Sequence, residues 1–237
     1  MKKRYDLSEL QDIVRRLRSE NGCPWDKVQT HQSLERNMIE EAYETVEGIH
    51  LLTETGDAEN LCEELGDVLL QVVFHSQIGE EEGLFTLQDV IQGVSEKMVH
   101  RHPHVFRDVH AENGEQIQKS WEELKKEEAE GKRDQRNELE KVPAAFPSLI
   151  RACKVQKKIE KGSYRPEESM EKIRAIAEKK LKCLTEDQEM DQKEAGDAVG
   201  DLLYQICKIA GRYHVDPEEE LHKKICEEIN SILGRQI

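Results

Sequence analysis

The chain has 237 residues, 36% hydrophobic and 36% charged, and its 50 acidic against 35 basic side chains leave a formal charge of −15. That length suits one large domain or two small ones, and the recurrent apolar runs exclude a disordered chain. So acidic a protein is excluded as a general binder of nucleic-acid backbones; it suits a cation binder, and an anionic substrate needs local Lys/Arg or a metal to offset the field.

Glycine (14) and proline (6) are scarce, helix formers dominate, and alternating strand-like runs are missing, so the class is all-α. The start, MKKRYDLSEL, has charges with no apolar stretch behind them, so no signal peptide is expected. The longest uncharged apolar run, Val68–Phe74, is too short to span a bilayer, and no membrane partner is expected. Six scattered cysteines without Cys-x-x-Cys read as reduced structural thiols of a cytoplasmic protein.

In chain order, residues 7–19 form an amphipathic helix with Leu7, Leu10, Ile13, Val14 and Leu17 on one face. Asn21-Gly22 and Pro24 mark a loop. A helix over about 31–52 breaks at Thr55-Gly56-Asp57, and the next covers about 58–79. Thr86 caps a helix over 87–100, and Pro103 interrupts at HRHPHVF. A further helix is expected over 114–130, then a charged, proline-bearing linker over 131–147, SLIRACKVQKKIEKG, and helices near 167–184, 189–212 and 216–234.

A repeat crosses that linker. EELGDVLLQVV (63–73) aligns without gaps with DAVGDLLYQIC (197–207). The expectation is two related helical-bundle halves: residues 1–130 and a shorter 148–237.

Within the most apolar helix, Glu64, Asp67 and Gln71 fall in a stripe about 60° wide. The helix is apolar nearly all round, so burial on nearly all sides is expected. Unpaired, such carboxylates cost several kcal/mol each or take up protons. A divalent cation removes the problem. Spacing of three residues lets two oxygens from one helix reach one ion, and Glu41 with Glu44 offers the same geometry from the preceding helix. Four hard oxygens suit Mg²⁺ or Mn²⁺, and Mg²⁺ accepts phosphate oxygens. A solvated acidic face is the alternative, weighing most for Glu40 and Glu47. The Glu-x-x-His pattern of di-iron bundles is met by Glu47/His50 and Glu219/His222, but Glu219 lies at a helix start and its half lacks matching acids.

Glu40-Glu41-x-x-Glu44 followed by Glu64-x-x-Asp67 resembles the signature of the MazG family of nucleoside triphosphate pyrophosphohydrolases. NGCPWDKVQTH, EELGDVLLQVVFHSQ, RHPHVF, SWEELKKEE and VPAAFPSLIRACKVQKK extend the resemblance over nearly all of residues 8–160. It implies an all-α fold, Mg²⁺ dependence, and hydrolysis of nucleoside triphosphates to monophosphate and pyrophosphate. It implies Glu41, Glu44, Glu64 and Asp67 as metal ligands, with Glu40 assisting by orienting a water. It further implies that Lys97 and Arg101 hold phosphates and that Trp121 stacks on a base with Lys125 nearby. A homodimer or higher oligomer is expected as well.

Each assignment has a plainer alternative: Trp121 as a core or dimer anchor, Lys125 as a surface lysine, and His100, His102 and His104 as structural histidines. For Trp25, a lid role and simple packing both stay open. The second half departs from the pattern. Ala198 stands where the first acid belongs, Asp201 survives, and no Glu-Glu-x-x-Glu precedes them. Catalysis is therefore expected in residues 1–130, with the rest a degenerate scaffold. A non-catalytic nucleotide-binding or dimerisation protein is the competing reading.

Overall fold

The computed structural model describes residues 4–107, 117, 121, 123–124, 137–162, 164, 168–186 and 190–234. Among them are ten helices and no strand: α1 (Leu7–Arg18), α2 (Pro24–Lys27), α3 (Glu35–Thr55), α4 (Glu59–Glu81), α5 (Leu87–Arg101), α6 (Pro103–Phe106), α7 (Ser148–Gly162), α8 (Met170–Thr185), α9 (Gln192–Arg212) and α10 (Pro217–Ile232). The fold is all-α. The chain divides into two compact units, Met1–Lys132 and Arg133–Ile237. The helix expected over 114–130 lies almost wholly outside the described residues.

The helix boundaries follow from capping chemistry. Asp6 and Glu9 form a reciprocal capping box on α1, and Thr86 with Asp89 does the same for α5. Gly56 ends α3 in the left-handed conformation at φ 76°, which glycine adopts without a Cβ clash. The start of α3 is Glu35 instead of the expected 31. Thr30 and Ser33 exchange side-chain hydrogen bonds with each other's backbone N–H at 2.9 and 3.1 Å, holding residues 30–33 in a turn that competes with helix.

The core of the first unit joins Val14, Leu34, Val73, Phe74, Ile78 and Leu87. Burying each of these side chains contributes about 1.5–3 kcal/mol. Arg18 seals one end: its guanidinium lies over the Phe74 ring, donates to the carbonyls of Asp26 and Gln29 at 2.7 and 3.0 Å, and pairs with Glu81 at 2.7 Å. The hydrogen bonds from Arg18 hold the Glu81 carboxyl below its ordinary pKa. Nearby, the Nδ1 atoms of His31 and His75 lie 2.8 Å apart, joining the approach to α3 to α4.

The core corrects the expected all-round burial of α4. Val73, Phe74 and Ile78 in the C-terminal half are buried, but Leu65 is 52% and Leu69 42% exposed. Core residues of α1, α5 and the approach to α3 gather on the C-terminal half, whereas the N-terminal half is flanked by α3. Its acids are consequently half-buried, not deeply enclosed. On α3, Ile39, Tyr43 and Val46 are likewise exposed at helical spacing.

In the second unit α9 packs on α8 and α7. Residues 137–147, read from sequence as linker, contain the buried Val142, and Glu138 there accepts from Lys141 and Lys158 at 2.6 Å each. No disulfide joins the six cysteines; Cys207 is buried, and burial pushes its thiol up to about 11.

Candidate functional site

Helices α3 and α4 form an antiparallel hairpin whose close approach depends on Gly48. A Cβ there would lie 3.0 Å from the Leu61 Cα and 3.0 Å from the Asn60 Oδ1. Two turns earlier on α3 sits Glu41, and across from it on α4 sit Glu64 and Asp67 at the i, i+3 spacing that shares one helical face. One carboxylate oxygen from each of the three lies within 4.8 Å of the others.

Like charges this close repel by about 3–4 kcal/mol per pair at the effective dielectric of a partly exposed site. The Glu41 carboxyl is accordingly pushed above its ordinary pKa of 4.5 by burial, then by Asp67 and by Glu44, against a lowering hydrogen bond from Gln71. On α4, the Asn60 amide donates to Glu64 Oε1 at 3.1 Å. Three partly buried hard oxygen donors, destabilised by one another, fit a divalent cation: the ion converts their repulsion into attraction and accepts carboxylate oxygens.

The remaining sequence candidates fall differently. Glu44 is exposed, and its charge helps to raise the Glu41 pKa; it stands beside the triad and outside its 4.8 Å limit. Glu40 is exposed and accepts from Arg36 Nε at 2.7 Å, a surface pair of small energetic weight. Lys97 is exposed on α5. Arg101, the last residue of α5, holds its guanidinium 5.2 Å from the Trp121 ring centroid. The expected phosphate binder and the expected base stacker thus touch each other in a cation–π contact. Lys125 lies outside the described residues.

Sequence reasoning did not assign Gln71 or Asn60 to the site. The signal for Gln71 was its place four residues after Asp67, and for Asn60 four residues before Glu64. Trp25 is 74% exposed and lies outside the core of the first unit. His102 Nδ1 meets the Met98 carbonyl at 2.7 Å, a local contact at the end of α5. The di-iron pattern finds no support: Glu219 pairs with Lys223 at 2.7 Å, and His222 contacts Cys226.

The repeat keeps one acid of the motif and loses the other. In the second unit Asp201 on α9 is met from α8 by Lys180, Nζ to Oδ2 2.6 Å, and Ala198 is buried where the other acid of the motif would stand. A protein ammonium sits against the surviving carboxylate.

Residues 29–106 match the MazG nucleotide pyrophosphohydrolase domain. The chain is 41% identical over 220 residues to the nucleoside triphosphate pyrophosphohydrolase/pyrophosphatase MazG of Thermotoga maritima, covering 92% of this chain and 80% of that protein. It is 34% identical over 220 residues to the nucleoside triphosphate pyrophosphohydrolase of Escherichia coli, covering 92% and 82%. It is 43% identical over 218 residues to the uncharacterized protein YabN of Bacillus subtilis, spanning 43% of that longer chain.

Proposed function

The chain belongs to the MazG nucleotide pyrophosphohydrolase family, and from that premise we propose that its first unit hydrolyses nucleoside triphosphates to nucleoside monophosphate and pyrophosphate. The observation that carries the reading is the convergence of Glu41, Glu64 and Asp67 from two helices. As a hydrolase acting on acid anhydrides, a protein of net charge −15 needs a cation to admit a polyphosphate, and the triad is where one fits.

Mg²⁺, or Mn²⁺ in its place, is the proposed ion, held by Glu41, Glu64 and Asp67 with Glu44 beside them. When bound it supplies positive charge against the phosphate oxygens and lowers the pKa of a water it holds. Glu40 orients the attacking water once released from Arg36. Lys97 and Arg101 bind phosphate oxygens outside the acid cluster, and Arg101 offers the more directional, bidentate geometry. Trp121, already in contact with Arg101, stacks on the base, with Lys125 nearby. Attack at the α-phosphorus leaves pyrophosphate as the departing group. Removal of unwanted or surplus nucleotides is the cellular role that this reaction fits, in the cytoplasm.

The exposed apolar stripes of α3 and α4, with Tyr43, Leu65 and Leu69, support pairing with a second copy. The Lys180–Asp201 pair favours a non-catalytic, scaffolding role for the second unit.

The deciding assay measures pyrophosphate release from a panel of nucleoside triphosphates with and without Mg²⁺. Release with at least one nucleotide, lost on chelation, is expected. No release with any nucleotide would favour a nucleotide-binding or dimerisation protein. Light scattering of a Leu65→Glu variant checks the pairing; a monomer is expected.

A further inference from the structure

Gln71 is buried, 8% exposed, next to the core of the first unit. It lies on the α4 stripe of Glu64 and Asp67, seven and four residues on from them. The stripe faces α3, where the Gln71 side chain is near enough to Glu41 to favour its charged form, and its Oε1 is buried with no partner among the described residues. An apolar side chain of similar length would fill the same space without burying an unpaired acceptor. The nearness of Glu41 gives the amide at position 71 a role that a buried amide elsewhere in the chain does not have. The amide carries donors where the neighbouring carboxylates carry none. It can therefore hold a carboxylate beside two others that repel it.

We propose that Gln71 is a positioning residue of the acid site: its amide holds the Glu41 carboxylate toward Glu64 and Asp67 and thereby sets the affinity for the divalent cation. The proposal rests on the reading of the triad as a cation site. The repeat supplies a control within the same chain. Gln205 is also buried with Oε1 unpartnered, but the carboxylate four residues before it, Asp201, is bound to Lys180.

The test uses the full chain and Mn²⁺ alone, with free ion counted by its electron paramagnetic resonance signal. Gln71→Met is expected to weaken Mn²⁺ binding roughly tenfold to a hundredfold, the usual effect of losing a group that orients a metal ligand. The Mg²⁺ concentration for half-maximal pyrophosphate release should rise by the same factor. The melting temperature should not fall, because an unpaired buried acceptor is removed. Gln71→Leu serves as a second donor-free variant should the thioether pack badly. Gln205→Met should leave Mn²⁺ binding unchanged. Unaltered binding in Gln71→Met, or equal losses in Gln71→Met and Gln205→Met, overturns the proposal. Glu41→Gln separates the two levels of inference. If it too binds Mn²⁺ normally, the triad is not the cation site; if it loses binding while Gln71→Met does not, only the positioning role falls.

Discussion

Lys180 Nζ lies 2.6 Å from Asp201 Oδ2, the aspartate that corresponds in the repeat to Asp67 of the acid triad. One half of the molecule gathers carboxylates with no protein cation among them in the described residues, and the other answers the surviving aspartate of the motif with an ammonium. Lysine is a compact point charge on a flexible stem and substitutes for an ion only where one or two oxygens need neutralising. Combining Lys180→Glu with Ala198→Glu should recreate three converging acids in the second unit. Equilibrium dialysis is expected to show one more Mn²⁺ bound per chain than in the unaltered protein, and an unchanged stoichiometry would refute the equivalence of the two sites.

Glu64→Gln keeps the size of the side chain and its contact with Asn60 while removing one charge from the triad. Pyrophosphate release should fall roughly hundredfold or more, at the upper end of what losing a supporting group costs. The ion-free protein should melt no lower than the unaltered one, since a repulsive charge has gone. A loss of activity accompanied by a loss of stability would point to misfolding instead.

Arg101 and Trp121 act as a unit because the guanidinium already lies over the indole. Arg101→Met should raise the KM for nucleotide. A hydrogen bond to a charged group contributes about 1.5–3 kcal/mol, which is roughly tenfold to a hundredfold in affinity. Intrinsic fluorescence should change in the same variant without nucleotide, since the cation leaves the ring; Trp25→Phe, made in both backgrounds, isolates the Trp121 signal.

Much of this arrangement was legible in the sequence because local rules act locally. Thr86 with Asp89, Gly56 and the helical spacing of Val14, Val73 and Ile78 each act within a turn or two, and the helices begin or end near where those residues indicate. The proximity of Glu41 to Glu64 and Asp67 also followed, since two helices joined by a short turn must run side by side. What sequence could not supply was which half of α4 the core would cover: Leu65 and Val73 are equally apolar, and only the tertiary packing of α1, Leu34 and Leu87 tells them apart. The pairing of Glu40 with Arg36 is a four-residue spacing visible in the sequence, whereas the cation–π contact of Arg101 with Trp121 spans two segments and is not.

The His31–His75 pair gives a pH dependence whose sign follows from its geometry. With Nδ1 facing Nδ1 at 2.8 Å, one ring donates and the other accepts, so two charged rings cannot keep the bond. Burial, then the His31 charge, depresses the His75 pKa below 6.5, while Glu82 Oε2 lies 3.8 Å from the far nitrogen of His31. The depressed value means that the contribution is present above pH 6.5 and is lost as pH falls through the folded-state pKa. The melting temperature should drop on acidification below 6.5, and His75→Gln should flatten that slope.

Gly48 is the residue whose absence of a side chain reaches furthest. A methyl group there meets the Leu61 backbone at 3.0 Å, and relieving that contact moves the neighbouring helix by a few tenths of an ångström. Oxygen distances to Mg²⁺ and Ca²⁺ differ by about 0.3–0.5 Å, the same scale. Gly48→Ala is therefore expected to change the spacing of Glu41 from Glu64 and Asp67 on the scale that separates those two ions, from a position outside the acid cluster.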